Sequence, residues 1–272
     1  MNYILIGITV TTKDWNDNFT EITSSVKNLK SSLVGKKYKV VLVLQGKEII
    51  RLNSIPQEYE IKIMQELSVS KARNFIINLA KDENYKYIIF HDAKVYFTKN
   101  VGCFFSNNSG DVTKKVKLFY SQDIPSTLNN VESVHKKINP LYQTYLGCYL
   151  LNVSYINHYF CEETGPGSET RYKSGEDVLF LFEYFYNLGT FSVDELSFGG
   201  VYHPPREGDY SKHLLYAEGQ GRLFRLLLGK YCSFRVVCDF ILFIANALVR
   251  VVLMKKNSLK IFKQRLKGLF NV

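Results

Sequence analysis

The stretch from Ser68 to Phe97 limits the possible folds more than any other part of the chain. Its first half carries apolar residues at helical spacing, which predicts a helix that ends near Lys81. Its second half contains an apolar run, Tyr87 to Phe90, which is too short for a helix and therefore predicts a buried strand. Open α/β sheets bind their ligands at the carboxyl ends of such strands. Asp92, which follows this strand, is therefore the first candidate site residue.

The order of the predicted elements indicates an α/β fold. Strands are predicted at Tyr3–Thr9, Lys39–Leu44 and Tyr59–Met64, and a helix at Asn18–Ser32. Together with the stretch above, they give a β-α-β-β-α-β order of continuous apolar runs, which predicts a mixed sheet covered by helices on both faces. Further along, the pattern predicts strands at Val116–Tyr120, Leu146–Val153 and Phe191–Val193, a helix at Val178–Leu188 ended by Gly189, and a loop at Gly199–Pro205.

The charge of the chain is concentrated at one end. The formal net charge is +10, and residues 222–272 hold eleven basic residues and one acid, Asp239, so this tail carries the whole excess. The neutral body argues against a nucleic-acid partner. We therefore predict two domains, a neutral α/β domain at 1–221 and a helical basic and apolar extension at 222–272.

The tail has the composition of a membrane-surface element. Cys232–Met254 is the longest apolar region, but charged residues interrupt it, and its uninterrupted part, 240–245, is far short of the roughly 20 residues that span a bilayer. An apolar helix followed by a Lys/Arg-rich helix is typical of a segment that lies on an anionic membrane. We therefore expect residues 232–267 to contact the membrane surface. The alternative is a helical pair that packs on the body or on a second subunit, as in a homodimer.

The five cysteines are odd in number, scattered and without a C-x-x-C pair, which indicates a reducing compartment and argues against structural zinc. The apolar amino terminus has no preceding positive charge, so we interpret it as the first strand and not as a signal peptide. These features, with the basic tail, predict a cytoplasmic protein attached peripherally to the inner face of the cell membrane.

Six short motifs then occur in a characteristic order. They are Thr9-Val10-Thr11, the Ser68–Asn74 segment SVSKARN, the Tyr87–Asp92 segment YIIFHD, the Tyr159–Glu162 segment YFCE, Gly175-Glu176-Asp177, and His203-Pro204. In this order they resemble the motifs of family 2 type glycosyltransferases, bacterial enzymes of surface polysaccharide synthesis, over about residues 1–221. The resemblance implies the GT-A fold, a Rossmann-like nucleotide-sugar-binding sheet, and a UDP-sugar as the first donor to consider.

The resemblance also assigns roles to particular residues. It implies that Asp177, beside Glu176, is the catalytic base of an inverting transfer, and the start of a helix favours the ionised form that a base requires. The alternative is that both acids merely cap the helix. Contacts to the donor are implied for six residues: Thr9, Gln45, Arg73, Asn74, Asp92 and Lys94.

A divalent cation, Mn²⁺ or Mg²⁺, is implied at Asp92 and His203. Lys94 stands where the family's D-x-D motif has its second acid, and hard cations prefer several oxygen ligands. This departure argues for weaker metal binding, and Lys94 would instead neutralise part of the diphosphate charge. A contact of Asp92 to the ribose alone is the other alternative.

The sequence therefore predicts a glycosyltransferase that acts on a lipid-linked or growing polysaccharide acceptor in the synthesis of capsule, O-antigen or exopolysaccharide. Two alternatives stay open. One is a catalytically weak subunit that binds nucleotide-sugars, which the loss of the second acid suggests. The other is a peripheral membrane scaffold that uses the basic tail.

Overall fold

The computed structural model describes residues 4–33, 35, 37–48, 55–93, 95–107, 112–121, 123, 125, 130–168, 170–205 and 211–270. Within them, nine strands form one mixed sheet in the order β3-β2-β1-β4-β8-β6-β9-β5, with β7 paired to β9. The strands are β1 Ile4–Thr11, β2 Tyr38–Gln45, β3 Tyr59–Met64, β4 Tyr87–His91, β5 Tyr96–Phe97, β6 Lys114–Tyr120, β7 Ser133–Lys137, β8 Tyr149–Asn152 and β9 Ser192–His203. The helices are α1 Thr12–Ser32, α2 Val69–Asp82, α3 Lys99–Ser106, α4 Glu176–Leu188, α5 Ser211–Lys230, α6 Phe234–Val252 and α7 Ser258–Phe270. The predicted mixed sheet flanked by helices is confirmed.

The first four strands form a parallel half-sheet in which β1 lies between β2 and β4. The apolar side chains of β1, β2 and β4 are buried, which explains why the sequences of these strands are continuous apolar runs. Helix α2 packs directly on β1, since a Cβ on Gly7 would come within 2.5 Å of Ile76. The chain leaves β1 towards β2 on one side of the sheet and leaves β4 towards the other side, so the carboxyl ends of these strands form a topological switch point, where open α/β sheets have their ligand crevice.

The second half of the sheet is mixed. Strand β8 joins it antiparallel to β4, and β6 then pairs antiparallel with β8 and parallel with β9. The prediction of a loop at Gly199–Pro205 is wrong for the first part of this range, because β9 continues to His203. Gly199 and Gly200 have positive φ beside a register shift in β6, and the carbonyl of Lys117 leaves no room for a Cβ on Gly200. These glycines mark a β-bulge, not a chain reversal.

Two other elements differ from the sequence prediction, and one helix end agrees with it. Helix α1 begins directly after β1, where the Thr11 side chain caps it, and contains a non-helical residue at Asn18, where the prediction had started the helix. The predicted strand Leu146–Val153 is a short strand, β8, between two 3-10 turns. Helix α4 ends at a left-handed Gly189, as predicted.

The chain ends in three helices that cover one side of the body. Helices α5 and α7 approach backbone to backbone at Gly221 and Gly268, where a Cβ would collide with the facing helix. The predicted domain boundary after residue 221 falls inside α5, and the two-domain division stays a prediction. Among the described helices, none combines the length and the apolar character that crossing a bilayer requires.

Candidate active site

Arg73 is the centre of the candidate site. It projects from the first turns of α2, which Ser68 caps by accepting a hydrogen bond from the Lys71 backbone. Its guanidinium forms an ion pair and hydrogen bond with Asp177 at the start of α4, and its Nη2 lies 3.7 Å from Oδ1 of Asp92 at the end of β4. Three predicted site residues, far apart in sequence, therefore meet at the crevice.

The Arg73 guanidinium is buried and stacks on aromatic rings. Its central carbon lies 5.3 Å from the ring centroid of Phe160 and 6.0 Å from that of Phe90. Burial alone would lower the pKa of Arg73, but the nearby carboxyl groups of Asp177, Asp92 and Glu176 raise it above its usual value. Arg73 is thus a permanent positive charge that holds two carboxylates in place.

The two acids at the start of α4 have altered proton affinities. Burial, reinforced by the charge of Asp177, raises the pKa of Glu176 to about 8, although Arg73 opposes the shift. Burial also raises the pKa of Asp177, and Arg73 opposes this too. A raised pKa makes a carboxylate a stronger base near neutral pH. Asp177 accepts a hydrogen bond from Arg73, and the residue that precedes the helix is Gly175. Asp177 is therefore not simply a helix cap.

Asp177 lies where two cavities meet. The first has a volume of about 600 Å³ and lies between the start of α4 and helices α5 to α7. The second, also about 600 Å³, lies between β6 and the segment 142–145. Tyr142, Thr144 and Asp177 line both cavities. A carboxylate at such a junction can contact two different molecules at once.

The second cavity contains polar groups that sequence reasoning missed. The Tyr145 hydroxyl and Oε1 of Gln143 are buried and have no hydrogen-bond partner within the described part of the chain. Burial, reinforced by the nearby Asp92, raises the pKa of Tyr145, so its hydroxyl keeps its proton and can donate. Buried polar groups without a partner are uncommon in proteins and call for a ligand or water. The aromatic and polar run from Tyr142 to Tyr145 was the one available signal.

Two predicted donor-binding residues, Gln45 and Asn74, form hydrogen bonds with backbone groups of neighbouring segments. Gln45, the last residue of β2, accepts a hydrogen bond from the Ser68 backbone at 2.8 Å. The side-chain amide of Asn74 bonds both backbone groups of Phe160, at 2.8 and 3.0 Å, and Oε1 of Glu162 at 3.1 Å. These bonds fix the start of α2, and so position Arg73. Contact of Gln45 and Asn74 with a nucleotide-sugar donor stays a prediction.

The remaining predicted residues lie on β1 and at the crevice rim. Thr9 is half-buried in β1, two residues before the end of the strand. His203 ends β9, and its Nδ1 donates to the Pro204 carbonyl at 2.7 Å, which leaves Nε2 as an acceptor. Lys94 lies outside the described residues.

The described residues do not fit a metal site formed by the protein alone. The ring of Tyr145 lies beside both Asp92 and His203, and Asp92 is already close to the guanidinium of Arg73. Within the described ranges, no group of three or more His, Cys, Asp or Glu side chains could hold a metal ion. A hard cation prefers several oxygen ligands. The metal stays a hypothesis, and no step below depends on it.

Comparisons with known proteins add to this picture. No protein-family model matches the chain, and no curated protein does. Solved structures do match. A structure of S. aureus TarS 1-349 in complex with UDP-GlcNAc is 15% identical, covers 88% of this chain and 71% of its own, and superposes with a TM-score of 0.58. A second structure of S. aureus TarS 1-349 is 16% identical, with 100% and 89% covered and a TM-score of 0.51.

A mycobacterial protein is 11% identical, covers 84% of this chain and 74% of its own, and has a TM-score of 0.50. The chain has a GT-A-like fold. At these identities the likeness concerns the architecture, and it confirms the fold class that the sequence motifs predict.

Proposed function

We propose that the chain is a glycosyltransferase that moves a sugar from a nucleoside-diphosphate sugar, with a UDP-sugar as the first candidate, to an acceptor hydroxyl with inversion. The observation that carries the proposal is the convergence of Arg73, Asp92 and Asp177 at the carboxyl edge of the parallel half-sheet. The fold supports it, because a TarS structure of the same architecture is in complex with UDP-GlcNAc.

In the proposed reaction, Asp177 takes the proton of the acceptor hydroxyl as its oxygen bonds to the anomeric carbon. The bond from that carbon to the diphosphate breaks, and the nucleoside diphosphate leaves with the electron pair. Arg73 orients Asp177, and its positive charge offsets part of the negative charge that the acids bring to the site. The Tyr145 hydroxyl lies beside Asp92 and has no hydrogen-bond partner in the described residues. It is therefore suited to donate a hydrogen bond to an oxygen of the nucleotide-sugar.

We further propose that the acceptor is lipid-linked or membrane-bound and that α6 and α7 bring the site to an anionic leaflet. Helix α6 exposes apolar side chains, with Val252 at 78% and Phe234 at 87% exposure, and Met254 just beyond it at 90%. Exposed lysines follow at 255, 256, 260 and 263. Apolar area next to uncompensated lysines complements an anionic bilayer. A second copy of the chain is the competing occupant of this face.

The proposal is tested by incubating the full chain with individual UDP-sugars and measuring the release of UDP, with water as the default acceptor. We expect slow release from at least one UDP-sugar and its loss in the Asp177→Asn variant. Parallel reactions with Mn²⁺ and with EDTA show whether the reaction needs a metal. If no nucleoside-diphosphate sugar is turned over or bound, the proposal is wrong.

A further inference from the structure

The first cavity runs from the candidate base to the tail helices, and its ends differ in character. Glu176 and Asp177 lie at one end, and Arg250 and Arg265 line the part formed by α6 and α7. Apolar side chains, among them Leu223 of α5 and Phe243 of α6, line the cavity together with polar ones, among them Lys173, His213 and Asp239. The cavity thus connects the two acids to the two arginines along a wall of mixed polarity.

Arg265 is held rigidly in this cavity. Its backbone packs against Gly221 of α5, with no room for a side chain there. Two of its guanidinium nitrogens donate to Oε1 of Gln220, at 3.1 and 2.9 Å, and the group lies 4.4 Å from the ring centroid of Phe243. A guanidinium that is oriented before binding loses little conformational freedom when it binds an anion.

Arg250 places a second positive charge near the first. Its Nε donates to Asn246 at 3.1 Å, and burial together with the charge of Arg250 lowers the pKa of Arg265. Among the described residues, neither arginine forms an ion pair. Asp239 lines the same cavity and accepts hydrogen bonds from Asn139 and Tyr142, both at 3.0 Å. Two neighbouring guanidinium groups that are not paired with a carboxylate are typical of sites that bind phosphate.

The cationic end of the cavity is also continuous with the apolar surface of α6. Leu242 lines the cavity and is 60% exposed, and its neighbours Ile241 and Val249 are exposed as well. An apolar chain that lies on this face would therefore place its headgroup next to Arg250. The arrangement fits a molecule with a phosphate at the end of a hydrocarbon chain.

We propose that Arg250 and Arg265 bind the phosphate group of an amphiphilic acceptor whose apolar chain lies along α6. The inference rests on the proposed function, which supplies the role of Asp177 at the opposite end of the cavity. The acceptor's hydroxyl reaches Asp177 while its phosphate stays with the two arginines. The substrate class is thus a phosphate or diphosphate ester of a long-chain alcohol that also carries a sugar, and a hydroxyl of that sugar is the acceptor.

The experiment is calorimetric titration of the full chain with octyl phosphate below its micelle concentration. Octyl glucoside has the same hydrocarbon chain without the phosphate, and inorganic phosphate has the phosphate without the hydrocarbon chain. The variants are Arg250→Gln and Arg265→Gln, and thermal unfolding verifies that each is folded. Arg225→Gln is the matched control, because Arg225 is exposed on α5 and does not line the cavity.

We expect octyl phosphate to bind the wild type and Arg225→Gln equally and to bind Arg250→Gln or Arg265→Gln roughly tenfold more weakly. Both partial ligands should bind more weakly than octyl phosphate. Equal weakening in all three variants would reduce the effect to net charge and overturn the site. If octyl glucoside bound as tightly as octyl phosphate, the phosphate contact would be overturned. If inorganic phosphate bound as tightly as octyl phosphate, the contact of the hydrocarbon chain with α6 would be overturned.

Absence of octyl phosphate binding would overturn the inference as a whole. A separate titration with UDP distinguishes this failure from that of the proposed function. UDP binding without octyl phosphate binding would refute only the arginine site. Octyl phosphate binding without binding of any nucleoside diphosphate would refute the transferase instead.

Discussion

Two regions of the molecule differ in whether their buried polar side chains have hydrogen-bond partners. One is the framework around Arg73, and the other is the wall formed by residues 139–146 and α5 to α7. In the framework, the side chains of Gln45, Ser70 and Asn74 bond backbone groups and fix neighbouring segments. In the wall, buried oxygens of Gln143 and Tyr145 have no partner in the described residues. Since buried polar groups normally find partners, the first pattern indicates architecture and the second indicates contact with a ligand.

The same contrast holds for charge. Arg73 is surrounded by carboxyl groups, whereas Arg250 and Arg265 form no ion pair among the described residues. Compensated charge positions catalytic groups, and uncompensated charge attracts an anion or an anionic surface. The two regions meet at Asp177, so variants on either side of it test the comparison.

The largest effect is expected at the junction itself. Asp177→Asn removes the proposed base and should lower kcat by about 10²–10⁴-fold, because no positioned base then takes the proton of the acceptor hydroxyl. UDP binding should persist. The measurement is the initial rate of sugar transfer, with Asp82→Asn, an exposed acid at the end of α2, as the control. Unchanged kcat would remove Asp177 from the chemistry.

The next effect concerns the compensated charge of the framework. Arg73→Gln leaves Asp177 and Asp92 without their shared cation, and should lower the free energy of unfolding by about 3–5 kcal/mol. Urea unfolding near neutral pH measures it. Arg225→Gln, which removes an exposed arginine, should change stability by less than about 0.5 kcal/mol. Similar losses in both variants would mean that the ion-pair network has no special weight.

Glu176 gives the framework a pH dependence. Its folded pKa of about 8 lies above the ordinary 4.5, so the folded state binds this proton more tightly than the unfolded chain. Its contribution to stability is complete below pH 4.5 and is lost as the pH rises through 8. Glu176→Gln should therefore gain stability relative to wild type between these limits, by at most roughly 1.4 kcal/mol per pH unit. Urea unfolding at pH 5 and pH 8 measures the gain.

The control for this pH series is Glu21→Gln, which replaces an exposed acid on α1. Because Glu21 is exposed, its replacement should change stability by less than about 0.5 kcal/mol. A stability difference for Glu176→Gln that stays constant with pH would show that Glu176 titrates like an ordinary acid.

The wall is tested by the exposed face of α6. Val249→Ser with Val252→Ser removes apolar contact area and should weaken binding to vesicles of phosphatidylglycerol and phosphatidylcholine by roughly tenfold. Co-sedimentation with the vesicles measures binding. The matched control is Ile61→Ser with Ile63→Ser, two exposed apolar residues on β3. Equal effects of both pairs, or a change in oligomeric state instead, would exclude a specific lipid contact.

The smallest effect is expected at Tyr145. Tyr145→Phe removes a hydroxyl that has no partner among the described groups, so stability should change little while the affinity for the UDP-sugar falls by about 1 kcal/mol. Thermal unfolding and calorimetric titration measure the two quantities. A clear loss of stability without any change in affinity would place Tyr145 in the framework.

Much of the framework could be predicted from sequence, because its signals are local. The α2 periodicity, the apolar β4 and the acids at the start of α4 lie in short motifs whose spacing determines their structure. The Gly199-Gly200 bulge could not, since the same pair suits a loop, and its partner at Lys117 is distant in sequence.

The missed cavity residues have a similar explanation. Tyr145 lies in an irregular segment, and its position beside Asp92 depends on Gly147, which packs close to the Phe90 carbonyl at the end of the sheet. The roles of Gln45 and Asn74 depend on backbone partners 23 and 86 residues away. Residue type alone does not reveal whether such a side chain serves the fold or a ligand.

Calorimetric titration of the full chain with UDP tests the central claim most directly. The account predicts one UDP per chain, with affinity that Asp177→Asn preserves and that Tyr145→Phe weakens. No detectable binding of UDP or of any other nucleoside diphosphate, with or without Mn²⁺, would contradict the donor site and the transferase function with it.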